Sequence, residues 1–132
     1  MGIRSELEAT FDFDIVDEFL DHFSLMTDNM EIIILDLSNP QMYKRSLDEL
    51  FRIFHNIKSA SGFLKITSMQ KLSAFVEDAL DVLRKNNKPV TQEIIDWLLL
   101  INDMYVTWNK DLIEDRPLSK IPFKLLKLPD LD

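Results

Sequence analysis

A histidine, a lysine and a run of small residues share one stretch of this sequence, HNIKSASGFL at residues 55–64. An imidazole that titrates near neutral pH can act as a metal ligand, a general base or a nucleophile. On a helix, Lys58 and Ser59 are the i+3 and i+4 neighbours of His55, and Gly62 follows two turns along on nearly the same face. The surface beside His55 therefore carries one cation and little bulk, which suits docking by a protein that must reach the ring.

Two common kinds of histidine site lack their other parts in this sequence. A metal site would need a second histidine or a carboxylate one turn away, but those positions hold Phe51 and Ser59, and the chain has no cysteine. A Ser-His-Asp hydrolase would need loops for its nucleophile and its oxyanion hole, and two glycines leave little for them. The remaining interpretation is that the His55 ring itself carries a group whose negative charge Lys58 offsets.

Four helices are predicted from the spacing of apolar residues. The first covers about residues 14–37 and the second, after an N-cap at Asn39 with Pro40 as the first helical residue, covers about residues 41–64. The third follows a cap at Thr67 or Ser68 and is broken by residues 86–89. The fourth follows a cap at Thr91 and extends to about residue 112. The apolar stripe predicted for the first helix comprises Ile15, Phe19, Met26, Met30, Ile33 and Leu37.

Short connections make consecutive helices antiparallel neighbours, so we expect an all-α fold, an antiparallel up-down four-helix bundle with a proline-interrupted C-terminal extension. The predicted organisation is a lead segment at residues 1–13, the bundle at residues 14–113 and a tail at residues 114–132. The tail is apolar and contains three prolines. It either packs across the fourth helix over Trp97, Leu100 and Met104 or docks on a partner, and packing is favoured because exposed Leu and Phe are costly in a free monomer.

The charge and composition exclude several classes of protein. The formal net charge is -8, so nucleic acid and anionic membrane surfaces are unfavourable partners. The N-terminus has no apolar core typical of a signal peptide, and no apolar run is long enough to cross a bilayer. We therefore expect a cytoplasmic, monomeric protein. His22, near the apolar stripe of the first helix, is interpreted as a satisfied histidine at the edge of the core.

The string H-x-x-K-S-A-S-G at residues 55–62 resembles the motif of histidine-containing phosphotransfer (HPt) domains. In that family, H-x-x-K-G-small-small-G-like strings lie on the second helix of a four-helix bundle. The string is most similar to that of the N-terminal phosphotransfer domain of chemotaxis histidine kinases. The resemblance covers about residues 13–112 and includes the four-helix layout as well as the motif.

The resemblance implies a phosphorelay intermediate in two-component signalling, with His55 phosphorylated on its outer ring nitrogen. Phosphate would come from a sensor histidine kinase or a receiver aspartate and pass to a receiver aspartate. Glu77, 22 residues later, corresponds to the glutamate that holds the inner ring nitrogen. A helical wheel independently places it on a flank that can face His55. Lys58 would offset the phosphate charge, and the docking surface for the receiver would comprise Ser59, Ser61 and Gly62.

The same resemblance implies that this chain binds no cofactor and holds no metal, because the receiver domain of the response regulator brings Mg²⁺ and the acidic pocket. With no room for an ATP-binding kinase domain, the chain would be a phosphocarrier rather than a true catalyst. Ser59 and Lys65 stand where the family usually has glycine, and Ala74 replaces a polar residue near the histidine. Two alternatives stay open: a helical adaptor that binds a receiver or kinase without being phosphorylated, and a fragment of a larger chemotaxis kinase.

Overall fold

The computed structural model describes residues 2–132, which form five α-helices and two 3-10 turns, with no β-strand in this range. The helices are α1 (Ile3–Thr10), α2 (Phe13–Leu35), α3 (Tyr43–Phe63), α4 (Thr67–Lys85) and α5 (Gln92–Ile113), and the 3-10 turns are Asp36–Ser38 and Phe123–Leu126. The predicted all-α helical bundle is confirmed. No helix among the described residues is both long and apolar enough to cross a membrane.

Helices α2 to α5 form the bundle, in which α3 and α4 make the most extensive contact and α2 packs against α3 and α5. Tyr105 of α5 lies at the centre of the core, with its ring against Phe23, Phe54 and Trp108. Its hydroxyl is paired with Ser73 of α4 at 2.6 Å, which satisfies a polar group that would otherwise be costly to bury. Burial raises the pKa of Tyr105 well above its ordinary value, and the bond to Ser73 opposes that shift only in part.

The apolar stripe of α2 differs from the prediction by about one position. Ile15 is 38% exposed, and Met26 and Ile33 are only partly buried. Helix α2 carries apolar residues around most of its circumference, so spacing alone does not decide which set faces the core. The residues that α2 buries are Val16, Phe19, Leu20, Phe23, Thr27, Met30 and Ile34.

Three predicted helix starts have different outcomes. Helix α3 begins at Tyr43 rather than near residue 41, because Asn39 Oδ1 accepts from the Gln41 backbone N–H in a turn that precedes the helix. Thr67 is the first residue of α4 and provides no side-chain cap, so the cap predicted at Thr67 or Ser68 is wrong. The cap predicted for α5 is confirmed. The Thr91 side-chain oxygen accepts a hydrogen bond from the Ile94 backbone N–H at 3.3 Å.

Shortly after the end of α3, one residue has a left-handed backbone conformation. Lys65 has φ of 60°, and the two hydrogen bonds around it have the Schellman pattern. The Ile66 N–H donates to the Ser61 carbonyl at 2.8 Å, and the Lys65 N–H donates to the Gly62 carbonyl at 3.2 Å. Glycine is favoured at such a position because it has no Cβ. Lys65 therefore matters first for how α3 ends, about 15 Å along the helix from His55.

The N-terminal segment is helical and packs on the bundle, a helix that the sequence patterns did not predict. The Ser5 backbone N–H donates to Asp115 Oδ1 at 2.9 Å, and the Ser5 hydroxyl donates to the other carboxylate oxygen. The Ile3 N–H donates to the Arg116 carbonyl at 3.0 Å. A Cβ on Gly2 would lie 2.0 Å from the Asp115 carbonyl oxygen, so this close approach requires glycine. Helix α1 is thus tied to the end of α5.

The tail packs on α5, as favoured by the sequence. Leu125 is buried, and its carbonyl accepts from the Trp97 indole N–H at 2.9 Å. The Trp108 indole N–H donates to the Ser119 carbonyl at 2.8 Å. The coverage is incomplete, because Leu100 remains 38% exposed and Phe123 of the tail is 76% exposed.

Candidate functional site

The close packing of α3 against α4 brings His55, Lys58 and Glu77 together. Glu77 Oε2 lies 2.5 Å from His55 Nδ1, and Glu77 Oε1 accepts from Lys58 Nζ at 2.6 Å. The exposed fractions are 53% for the His55 side chain, 31% for Lys58 and 9% for Glu77. A buried carboxylate is therefore shared between a half-exposed imidazole and an ammonium group one helical turn away.

The charge of Glu77 decides which ring nitrogen of His55 carries the hydrogen. Burial alone raises the pKa of the Glu77 carboxyl, but hydrogen bonds from Lys58 and His55 outweigh burial and hold that pKa below its ordinary value. Glu77 is then ionised at neutral pH and can only accept. His55 Nδ1 must donate, so in the neutral ring Nε2 has the free lone pair. The arrangement leaves a nitrogen with a free lone pair on a half-exposed ring.

Lys58 neutralises Glu77 in this structure. Its ammonium group bonds the carboxylate oxygen that His55 does not use, which leaves the buried carboxylate with a partner on each oxygen. Such pairing is what allows an ionised group to be buried at all. Because ammonium has three donors, Lys58 can keep this bond while it offers another N–H to a negative group on the ring.

Two aromatic and cationic contacts extend the site along α3 and α4. The Phe51 ring is nearly parallel to the His55 ring, with an interplanar angle of 9° and centroids 6.3 Å apart. The Arg84 guanidinium carbon lies 3.8 Å from the centroid of the Phe51 ring. From the sequence, Phe51 was predicted to face the core and was noted as a position without a metal ligand, and Arg84 was assigned no role. Their spacing was the available signal: Phe51 precedes His55 by one turn, and Arg84 follows Glu77 by two turns.

The three residues predicted for the docking surface lie in different environments. Ser59 is exposed, one turn from His55. Ser61 is fully buried, and its hydroxyl donates to the Ile57 carbonyl at 2.6 Å, so the prediction that Ser61 belongs to the docking surface is wrong. Gly62 is partly buried because the Gln70 side chain of α4 lies over it. A Cβ on Gly62 would be 2.8 Å from Gln70 Nε2, so the glycine also makes room for that side chain.

A groove of about 650 Å³ between α2 and α3 begins beside the site, at Ser59 and Asn56. Its lining is mainly apolar and includes Leu25 and Phe63, which are 62% and 61% exposed. The other lining residues are Ile15, Glu18, Phe19, His22, Met26, Ala60 and Leu64. The exposed side of α2 that did not fit the core stripe is therefore one wall of this groove.

His22 is exposed on the groove, so its interpretation as a satisfied histidine at the core edge is wrong. No side-chain hydrogen bond of His22 is present within residues 2–132, and it lacks the carboxylate partner that distinguishes His55. Within the same residues, no group of three or more histidine or acidic side chains is arranged to hold a metal ion.

The chain matches a family model and several curated proteins. The Hpt domain family model matches residues 14–111. The sensor histidine kinase CheAY of Helicobacter pylori is 28% identical over 94 residues, which are 71% of this chain and 12% of that protein. The chemotaxis protein CheA of Salmonella typhimurium is 28% identical over 91 residues, 69% of this chain and 14% of that protein. CheA of Borreliella burgdorferi is 26% identical over 81 residues, which are 61% of this chain and 9% of that protein.

The chain thus spans no more than about a seventh of the curated relatives named above. A search of the solved structures gave no significant match.

Proposed function

Because the chain belongs to the Hpt domain family, we propose that it is a phosphorelay intermediate of two-component signalling that carries a phosphoryl group on His55. One observation carries the proposal: the 2.5 Å contact between His55 Nδ1 and an ionised, buried Glu77. That contact fixes one ring nitrogen as a donor and leaves Nε2 with its lone pair on a half-exposed ring. The similarity to chemotaxis kinases supports the same role.

The proposed step is an in-line transfer from a phosphorylated receiver aspartate or a phosphorylated kinase histidine. The Nε2 lone pair forms the N–P bond as the bond from phosphorus to the donor atom breaks, and the donor leaves as a free carboxylate or imidazole. The ring gains positive charge in this step, and Glu77 faces it through Nδ1–H. Lys58 is one turn away and offsets charge on the phosphoryl oxygens. Phosphoryl transfer depends mainly on such positioning and charge neutralisation.

The proposed partners are a response-regulator receiver domain and a sensor histidine kinase. The chain itself contributes no cofactor, and the receiver supplies Mg²⁺ beside its aspartate. We place the receiver over the exposed Ser59 and the Gly62 region, with an apolar element in the groove between α2 and α3. The groove supports this placement because it is continuous with Ser59 and leaves Leu25 and Phe63 exposed.

The test separates a phosphocarrier from a non-phosphorylated adaptor. The purified chain is incubated with Mg²⁺ and either a receiver charged by acetyl phosphate or a phosphorylated sensor kinase. The proposal predicts phosphate on this chain that is labile in acid and stable in base, as expected for phosphohistidine. Stable binding of a receiver without any phosphate on the chain would support the adaptor and overturn the carrier.

A further inference from the structure

We propose that Phe51 and Arg84 are positioning residues that hold the His55 ring in the orientation from which Nε2 reacts; this inference rests on the proposed function. Glu77 holds the ring at one atom, Nδ1. A single hydrogen bond fixes a direction but still permits the ring plane to tilt about it. The nearly parallel Phe51 ring, at an interplanar angle of 9°, is the contact that restricts this tilt.

Arg84 in turn restricts Phe51. Its guanidinium carbon is 3.8 Å from the ring centroid, a distance typical of a cation–π contact. Two carboxylates orient the guanidinium: Arg84 Nη2 donates to Asp81 at 3.0 Å, and Nη1 lies 3.4 Å from Asp48. The planar group is therefore fixed at both ends while its flat side meets the ring.

The Arg84 Nε atom distinguishes this arrangement from an ordinary surface ion pair. It is buried and has no hydrogen-bond partner among residues 2–132, although the two terminal nitrogens are paired. A buried donor without a partner is unfavourable. Stacking on the Phe51 ring gives a reason why the guanidinium nevertheless occupies this place.

The two helices supply the geometry through residues one turn apart on α3 and two turns apart on α4. On α3, Phe51 and His55 are four residues apart, and on α4, Glu77 and Arg84 are seven apart, so each pair lies on one face of its helix. When those faces pack, Glu77 meets the imidazole and Arg84 meets the aromatic ring one turn away. The orientation of His55 is thereby coupled to two separate contacts between α3 and α4.

The experiment compares Phe51→Leu, Phe51→Tyr and Arg84→Gln with the wild type. Transfer from a phosphorylated receiver is measured at several receiver concentrations, and ¹⁵N NMR measures the tautomer populations of His55. We expect Phe51→Leu and Arg84→Gln to lower the maximal transfer rate about three- to tenfold without changing KM, because the docking surface is intact. Phe51→Tyr, which keeps the ring, recovers most of the rate.

Arg45→Gln is the matched control, because Arg45 forms an ion pair with Glu49 on α3 and makes no cation–π contact within residues 2–132. It removes the same charge and leaves rate and tautomer populations unchanged. The inference is overturned if Phe51→Leu transfers at the wild-type rate with wild-type tautomer populations, or if Phe51→Tyr and Phe51→Leu lose the same activity. If the wild type itself accepted no phosphate, the proposed function would be contradicted. The NMR measurement of the His55 tautomers would then still decide whether Phe51 orients the ring.

Discussion

His55 and Glu77 are 22 residues apart in the sequence, on different helices, yet His55 Nδ1 and Glu77 Oε2 lie 2.5 Å apart. The contact exists because α3 and α4 are joined by a short connection and pack closely over their length. The reactive ring is thus oriented by the tertiary structure of the bundle. Changes that leave α3 helical but disturb its packing on α4 are expected to affect the site.

The first prediction concerns the pH dependence of stability. The pKa of Glu77 is lowered in the folded state from an ordinary value of 4.5, so the folded state resists protonation. The stabilisation that ionised Glu77 contributes is present above its ordinary pKa of 4.5 and is lost as the pH falls through the lower pKa of the folded state. Glu77→Gln is expected to reduce the free energy of unfolding by about 1–3 kcal/mol near pH 7 and by much less near pH 3. Urea denaturation at both pH values measures this.

Other carboxyls also have lowered pKa values, which makes the comparison between proteins the informative quantity. Hydrogen bonds from Lys85 and Arg84 lower the pKa of Asp81, and bonds from Ser5 lower that of Asp115. These groups titrate alike in the wild type and the variant and cancel in the difference. A difference of the same size at both pH values would show that the charge of Glu77 contributes nothing to stability.

The second prediction concerns Lys58. Lys58→Met removes the hydrogen bond to Glu77 Oε1, so the pKa of Glu77 rises towards its ordinary value. Transfer slows by about tenfold or more, because the ammonium no longer offsets phosphoryl charge. A ¹³C NMR titration of the Glu77 carboxyl and a phosphotransfer assay measure the two effects. Lys71→Met, on the exposed side of α4, is the matched control. An equal loss of activity in that variant would contradict a specific role for Lys58.

The third prediction concerns Gly62 as part of the docking surface. In Gly62→Gln the new Cβ displaces the flexible Gln70 side chain, and the gain in helix propensity offsets this, so stability changes by less than about 1 kcal/mol. The long side chain stands two turns from His55, and we expect KM for the receiver to rise several-fold. Thr107→Gln, on the exposed face of α5, leaves KM unchanged. An unchanged KM in Gly62→Gln would mean that Gly62 only makes room for Gln70.

The sequence predicted the four helices of the bundle because they follow from the periodicity of apolar residues, whereas the principal contact of the site was implied by the family resemblance. A helical wheel agreed with the pairing of His55 and Glu77, since each lies on the flank of its own apolar stripe. The burial of Ser61 also follows from its spacing with Phe54 and Leu64 in the stripe of α3, and its inclusion in the docking surface relied on the motif alone.

Other features depend on contacts between distant parts of the chain. Helix α1 is held by Asp115 and Arg116, more than a hundred residues away, and nothing in its own short sequence indicates that partner. The buried face of α2 differs from the predicted stripe because this helix has apolar residues on two surfaces, the core and the groove with α3. The contact of Arg84 with Phe51 required both helix spacings to be considered together.

The fourth prediction concerns the end of α3. Lys65 has φ of 60°, where a side chain is strained and glycine is not. Lys65→Gly is expected to increase the free energy of unfolding by about 0.5–1 kcal/mol, since the relief of strain exceeds the added freedom of the unfolded chain. Lys71→Gly, inside α4, is expected to decrease it by about 1 kcal/mol. Thermal unfolding of both variants checks the sign, and a loss of stability in Lys65→Gly would contradict the assigned backbone role.

The most direct test of the central claim is the site of phosphorylation, measured by NMR of the phosphorylated chain and by phosphate incorporation into His55→Gln and His22→Gln. These are the only two histidines in the sequence. The proposed function predicts one phosphohistidine, substituted at Nε2 of His55, no incorporation into His55→Gln and full incorporation into His22→Gln. Near-wild-type helix content in both variants confirms that folding is intact. Phosphate on His22, or continued incorporation into His55→Gln, would contradict the assignment of the carrier residue.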